Sequence, residues 1–354
     1  TANPMKTKTA TLFAALALGL GLGATEMQAQ LVTIDTVYVG NANNPASNTT
    51  NAASWGSSFF QGYGAVGYNY RIGKNEVTIS QYTAFLNAVA TIPLGLYQTD
   101  LWSSEMSSDL NVAGINRSGS GTVATPYSYS VRVGSGNRPI SNVSWFDAAR
   151  FTNWLHNGAT VAASTETGAY NLNGATSGII TKGAGAEWWI PSEDEWVKAA
   201  YYNPDTLAYS LYANKSDSMT TNAIGSSGGA NHRDVPNFDY ATTQSNIYSS
   251  SQNYLTNVGA YATESFYGTF DQSGNVAEWN DAVLPFVRGG IRGGSWSEGL
   301  GGLSAQIRDR GISFFEPERN DIGFRVASVP EPSAAVLMLL GAVYGLMRRR
   351  KATL

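Results

Sequence analysis

The feature that most constrains the fold of this chain is how seldom its apolar residues repeat at helical spacing. From residue 31 to about 328, clusters of Gly, Asn and Ser interrupt the sequence every few residues, and no Pro-rich or charged linker divides it. Helical signals are confined to a few short stretches. In Thr78–Val89, Thr78 or Ser80 can cap the start, and Tyr82, Phe85, Leu86 and Val89 form one apolar stripe. In Ser144–Leu155, Ser144 is the N-cap and Asp147 a short capping-box acid, while Trp145, Ala148, Ala149, Phe151, Thr152 and Leu155 line a buried face. Another helix begins at Pro191. Ser192 caps it, Glu193, Asp194 and Glu195 place negative charge where the helix dipole favours it, and Val197, Ala199 and Ala200 continue it. Tyr68–Ile72 and Ile322–Ala327 read as short β runs. Few helices and many short strands joined by irregular loop predict an α+β domain over residues 30–328.

Composition narrows the chemistry. The chain has 354 residues and 43% hydrophobic content, enough for one large core, yet no Cys at all. Disulfides, thiolate metal sites and thiol nucleophiles are therefore excluded. Charged residues make up 14%, against about 25% in an average soluble domain, so the surface is rich in hydroxyl and amide groups. A net charge of −4 without a basic stripe argues against a nucleic-acid partner. There is no Gly-x-Ser-x-Gly elbow with triad partners, no phosphate-binding loop and no HExxH.

Both ends read as addresses. Thr1–Pro4 precede a start at Met5, after which Lys6 and Lys8, the apolar run Leu12–Leu22 and the small Ala29 predict a signal peptide over residues 1–29, cut by signal peptidase. Residues 329–354 open with the extended Val329-Pro330-Glu331-Pro332. An apolar run, Ala334–Met347, and the basic cluster Arg348, Arg349, Arg350 and Lys351 follow. A helix of that length reaches about 21 Å, short of the roughly 30 Å hydrocarbon core, which suits transient insertion. The segment resembles a PEP-CTERM sorting signal centred on Pro330, Glu331 and Pro332. That implies an exosortase partner and delivery to the envelope or extracellular matrix of a Gram-negative bacterium.

Between these ends stand blocks in a telling order: Ile72–Tyr82, Arg138–Ala149, Trp189–Trp196, Gly274–Trp279, Arg292–Trp296 and Ile322–Ala327. In this order they resemble the formylglycine-generating-enzyme, or sulfatase-modifying factor, family. The resemblance implies a loop-rich, C-type-lectin-like fold. The residues themselves give structural roles to Trp145, Trp189, Trp196, Trp279 and Trp296, whose burial would hold such a fold together. Gly293-Gly294 suits a turn, and Arg325 suits an internal carboxylate partner.

Asp271 and Glu278 lie seven residues apart across a Gly-containing turn, and with the carbonyls of Gly274 and Val276 they compose a candidate calcium loop. The same positions look like one calcium site of the family, where Asn commonly stands in place of Asp271. The alternative is that Glu278 bonds backbone amides and holds no metal. A second family site would call on Asn222.

The family enzyme oxidises a substrate cysteine with copper on two thiolates. Here the first of those positions matches Glu298 and the second falls near Gly302 or Leu303. Soft Cu(I) has no soft ligand to bind, so no copper is expected. Only His156 and His232 are present, so a three-His iron site of the related sulfoxide-forming branch cannot be built. His156 reads as a helix C-terminal cap and His232 as an exposed loop residue. The expectation is a secreted, non-catalytic binding module whose ligand is a glycan or a surface protein. Trp296, Glu298, Arg308, Arg310 and Phe314 form its candidate groove, and a diversified receptor is one variant. The alternatives are an enzyme of unrecognised chemistry and a structural exopolysaccharide-matrix protein.

Overall fold

The computed structural model describes residues 31–48, 62–92, 101–161, 163–218, 221–233, 237–284, 288–298, 311–315 and 318–330. In chain order the elements are β1 (Thr36–Val39), β2 (Tyr70–Gly73), α1 (Ile79–Val89), α2 (Glu105–Ser108), β3 (Ile115–Ser118), β4 (Ser128–Val131) and α3 (Trp145–His156). Then follow β5 (Trp188–Trp189), α4 (Glu193–Tyr201), β6 (Tyr202–Asn203), β7 (Ala208–Tyr209), β8 (Ala277–Leu284), β9 (Arg288–Arg292), β10 (Gly311–Phe314), β11 (Ile322–Gly323) and β12 (Ala327–Ser328). One sheet runs β1-β2-β12-β5, a second runs β10-β9-β8-β11, and β3–β4 and β6–β7 are separate pairs. The architecture is α+β, as the sequence predicts.

The expected helices begin where their caps place them. Thr78, Ser144 and Ser192 each accept from the backbone N–H three residues on, and Gln81, Asp147 and Glu195 return the bond to the cap's own N–H. Glu195 is thus a capping-box acid as well as a first-turn charge. The α2 turn was not expected, because four residues without an apolar stripe give no periodic signal.

The α3 helix is more central than its apolar stripe suggests. Every residue from Trp145 to Leu155 is buried, including Asp147, Arg150 and Asn153 on the side expected to meet solvent. These polar groups are satisfied internally. Arg150 pairs with Glu166 at 2.8 Å, and the Asn153 amide donates to the carbonyls of Thr165 and Tyr170. On the apolar side Phe151 packs with Tyr82, Phe85, Trp154 and Phe324.

The Ile322–Ala327 run is not one strand. Ile322–Gly323 pairs parallel with β8, whereas Ala327–Ser328 lies between β2 and β5. The segment therefore ties the two larger sheets together, and Phe324, Arg325 and Val326 cross the interior between them, all fully buried.

Candidate functional site

Arg325 organises the first site. Its Nε and Nη2 each donate to a Glu278 carboxylate oxygen at 2.6 Å, and its remaining donors reach the carbonyls of Gly73 and Phe270 at 2.9 Å. The Trp196 indole N–H donates to the same carboxylate at 2.6 Å. Glu278 belongs to β8 rather than to a loop, with the Gly274-Asn275 turn leading into it. Gly274 has φ +113°, and a Cβ there would sit 2.5 Å from the Asn231 carbonyl oxygen, so only glycine fits. Asn275, also at positive φ, accepts from the Asn231 amide and the Thr256 N–H.

Two more carboxylates share the Arg325 neighbourhood. Asp271 accepts from the Gly259 N–H at 2.5 Å, and burial pushes its carboxyl up to about 6, with Arg325 opposing that rise and Glu278 adding to it. Glu76 is 2% exposed, and neither of its carboxylate oxygens has a hydrogen-bond partner. Burial first, then the charges of Asp271 and Glu278, hold its carboxyl well above the usual range. Asp271, Glu278 and Glu76 thus share a single guanidinium, which leaves an excess of buried negative charge if all are ionised.

This arrangement alters the expected calcium set. Glu278 is committed to Arg325 and Trp196, so it is a poor calcium ligand. Asp271 remains, and Glu76, which the sequence reading did not include, supplies oxygens without partners. Among the described residues no three His, Asp or Glu side chains group as a metal cage by themselves. A cation here would draw on carbonyl oxygens as well. Asn222 takes no part in this cluster's hydrogen bonds. Its side-chain oxygen accepts from the Gln244 amide, and its own amide donates to the carbonyls of His232 and Asp239.

The second site is built on rings. Trp296 is only 4% exposed and lies parallel to Tyr254, with centroids 5.0 Å apart and planes 2° apart. Tyr254 carries Tyr248 on a 15° stack at 6.0 Å, and Tyr240 touches all three rings. The stack reaches solvent at Tyr248, which is 55% exposed. The Arg233 guanidinium lies 4.9 Å from the Tyr240 ring centroid, and the Arg233 N–H donates to the Glu298 carbonyl. Burial pushes the Glu298 carboxyl up to about 7, Asp321 adding to the rise and Arg319 opposing it, and its Oε2 has no hydrogen-bond partner.

The expected groove is therefore redistributed. Trp296 is the floor of a ring stack and not a contact surface. Glu298 stays half-buried beside it. Phe314 is exposed but pairs with Arg288, at the far end of β9 from Trp296. Arg308 and Arg310 lie outside the described residues, as do Glu331 and Pro332 of the sorting motif, while Pro330 is exposed. His232 is buried at 2%, with Nδ1 against the Ala230 carbonyl, correcting the expectation of an exposed loop residue. His156 forms the last turn of α3 with Asn157 as the cap, and its Nδ1 accepts from the Glu187 N–H. The stacking of Tyr240, Tyr248 and Tyr254 was missed; their only sequence signal is aromatic residues within a polar, uncharged stretch.

Three solved structures are similar to this chain at low sequence identity. The crystal structure of CarF matches at 21% identity and a TM-score of 0.48, covering 84% of this chain and 99% of its own. Treponema denticola variable protein 1 matches at 18% identity and a TM-score of 0.49, covering 84% and 96%. PvdO from Pseudomonas aeruginosa matches at 16% and 0.41, covering 84% and 93%. No curated protein sequence matches. The sulfatase-modifying factor enzyme 1-like domain model matches residues 65–329, most of the chain and every motif block named above, and the chain belongs to that family.

Proposed function

We propose that the chain is an exported, non-catalytic binding module that takes a glycan or a surface protein on the face formed by Tyr248, Arg233 and Glu298. One observation carries this reading. Where the family resemblance puts its first thiolate stands Glu298, and the neighbouring Trp296 is the floor of a ring stack that emerges at Tyr248. Without Cys the family oxidation has no thiolate to hold copper. An exposed aromatic face backed by rigid rings suits ligand capture. The test is retention of the full chain on surface extract and matrix polysaccharide from a producing cell. Tyr248→Ala is expected to weaken it, and unchanged retention would end the proposal for this face.

A second reading has its own observation. A carboxyl titrating near neutrality is suited to general acid–base work, and Glu298 is such a group. Turnover of a glycan or peptide panel that Glu298→Gln abolishes would favour an enzyme.

Export belongs to the same proposal. Signal peptidase and exosortase would process the two ends and leave the domain at the envelope or in the matrix. Replacing Pro330, Glu331 and Pro332 by Ala should hold the chain at the membrane fraction. In the same proposal calcium is a structural ion, held by Asp271 with Glu76.

A further inference from the structure

From Tyr240 to Thr263 the chain contains no charged side chain, although much of this stretch lies at the surface. Thr243, Asn246, Ser250 and Ser251 are exposed around Tyr248, and Ile247 beside it is 75% exposed. The stretch is nonetheless held firmly. The Tyr248 hydroxyl donates to the Asn111 side-chain oxygen at 2.5 Å, and the Asn111 amide donates to the carbonyls of Ser249 and Gln252, both at 2.8 Å. The Ser249 N–H donates to the Tyr254 hydroxyl, and the Tyr254 N–H to the Asn111 carbonyl. Asn111 itself is 2% exposed. One buried carboxamide thus fixes both the hydroxyl end of an exposed ring and the loop behind it. Little rotamer freedom remains to be lost when a ligand settles on that ring.

We infer that Tyr248 and its rim of hydroxyl and carboxamide groups form a platform for an uncharged polysaccharide. This rests on the binding-module reading and names its ligand class. A pyranose ring presents an apolar C–H face to an aromatic ring and hydroxyls to its edge, and the platform offers the complement of both. An acidic polymer needs cations, and this stretch has none. Arg233 is drawn over the Tyr240 ring and its Nε donates to the Phe238 carbonyl, so it keeps its charge at the edge of the platform and the salt dependence of retention reads whether it takes part. Arg319 forms a bidentate pair with Asp321. The rim of serines, which are depleted in protein interfaces, weighs against a protein partner, whereas the central Tyr, enriched there, does not, so the protein fraction is a separate probe.

The test uses the full chain and matrix polysaccharide separated by anion exchange into uncharged and acidic fractions, with the surface-protein fraction as a third probe. The expected result is retention on the uncharged fraction that is unchanged between about 0.05 and 0.5 M salt, because no ion pair is screened. Tyr248→Ala should weaken it by roughly three- to tenfold and Tyr248→Trp should preserve it. Because Tyr248 is more than half exposed, an unchanged melting temperature of Tyr248→Ala confirms folding. Retention only on the acidic or protein fraction, still lost in Tyr248→Ala, overturns the ligand class but leaves the binding module standing. Retention on no fraction overturns both. Retention on the uncharged fraction that Tyr248→Ala leaves intact removes the platform.

Discussion

Glu278 and Arg325 form a two-pronged ion pair, both bonds 2.6 Å long, with neither side chain exposed to solvent. The pair joins β8 to the segment that crosses between the two larger sheets, so it acts as a cross-brace of the fold. Removing one partner of a buried pair leaves an uncompensated charge and costs about 3–5 kcal/mol. Arg325→Met should fall in or above that range, since Glu76 and Asp271 lose the same cation. Adding Glu278→Leu to Arg325→Met should recover part of the loss. Urea unfolding of both single variants and the double variant measures the coupling, and strictly additive losses would contradict the cross-brace.

The proposed calcium site makes Glu76 the residue to test. If a dication binds Glu76 and Asp271 in the native state only, it stabilises by mass action. Millimolar calcium is then expected to raise the melting temperature by about 2 °C or more relative to chelator. Glu76→Gln should abolish that difference. Identical melting of the unaltered chain in calcium and in chelator would mean that protons, not a cation, relieve the buried negative charge.

Glu298 should leave a mark on the pH dependence of stability. Its carboxyl titrates near 7 in the fold against an ordinary 4.5. Between those values the folded chain keeps a proton that the unfolded chain has released. Its contribution is therefore fully present at lower pH and is lost as pH rises toward about 7. The loss is up to roughly 3 kcal/mol, reduced by partial exposure. Glu298→Gln cannot titrate, so its unfolding free energy should change less across that window. An unaltered profile in this variant would refute the assignment.

The start of α3 offers a local test. Ser144 accepts from the Asp147 N–H, and the Asp147 carboxylate accepts from the Ser144 N–H at 2.8 Å. Ser144→Ala should cost about 1 kcal/mol, within the 0.5–2 range for caps. Thermal unfolding reads this directly, and a neutral result would mean that the packed helix no longer needs its cap.

The caps were legible in the sequence because capping is local: Ser144 and Asp147 stand three residues apart in any chain that turns helical there. The burial of Arg150 and Asn153 was not, since it depends on Glu166, Thr165 and Tyr170, which the loop after α3 brings back over the helix. Glu278 was legible as an important acid, but its partner was not named, because Arg325 reaches it only after the chain has crossed between sheets. The candidate groove suffered most. Trp296 carried two expectations, a buried ring that holds the fold and a contact residue of the groove; it is buried, with Tyr254 and Tyr240 packed on it, so only the first fits.

By itself the sequence determined the α+β class, the starts of α1, α3 and α4, the family and a composition without Cys. Each follows from residue identity and short spacing, which survive without coordinates. Tertiary structure alone decided that Glu278 answers to Arg325, that Glu76 stands without hydrogen-bond partners near Asp271, and that the ring stack meets solvent at Tyr248. Those outcomes depend on which distant segments pack together, and in a fold with so little regular secondary structure no short-range periodicity encodes them.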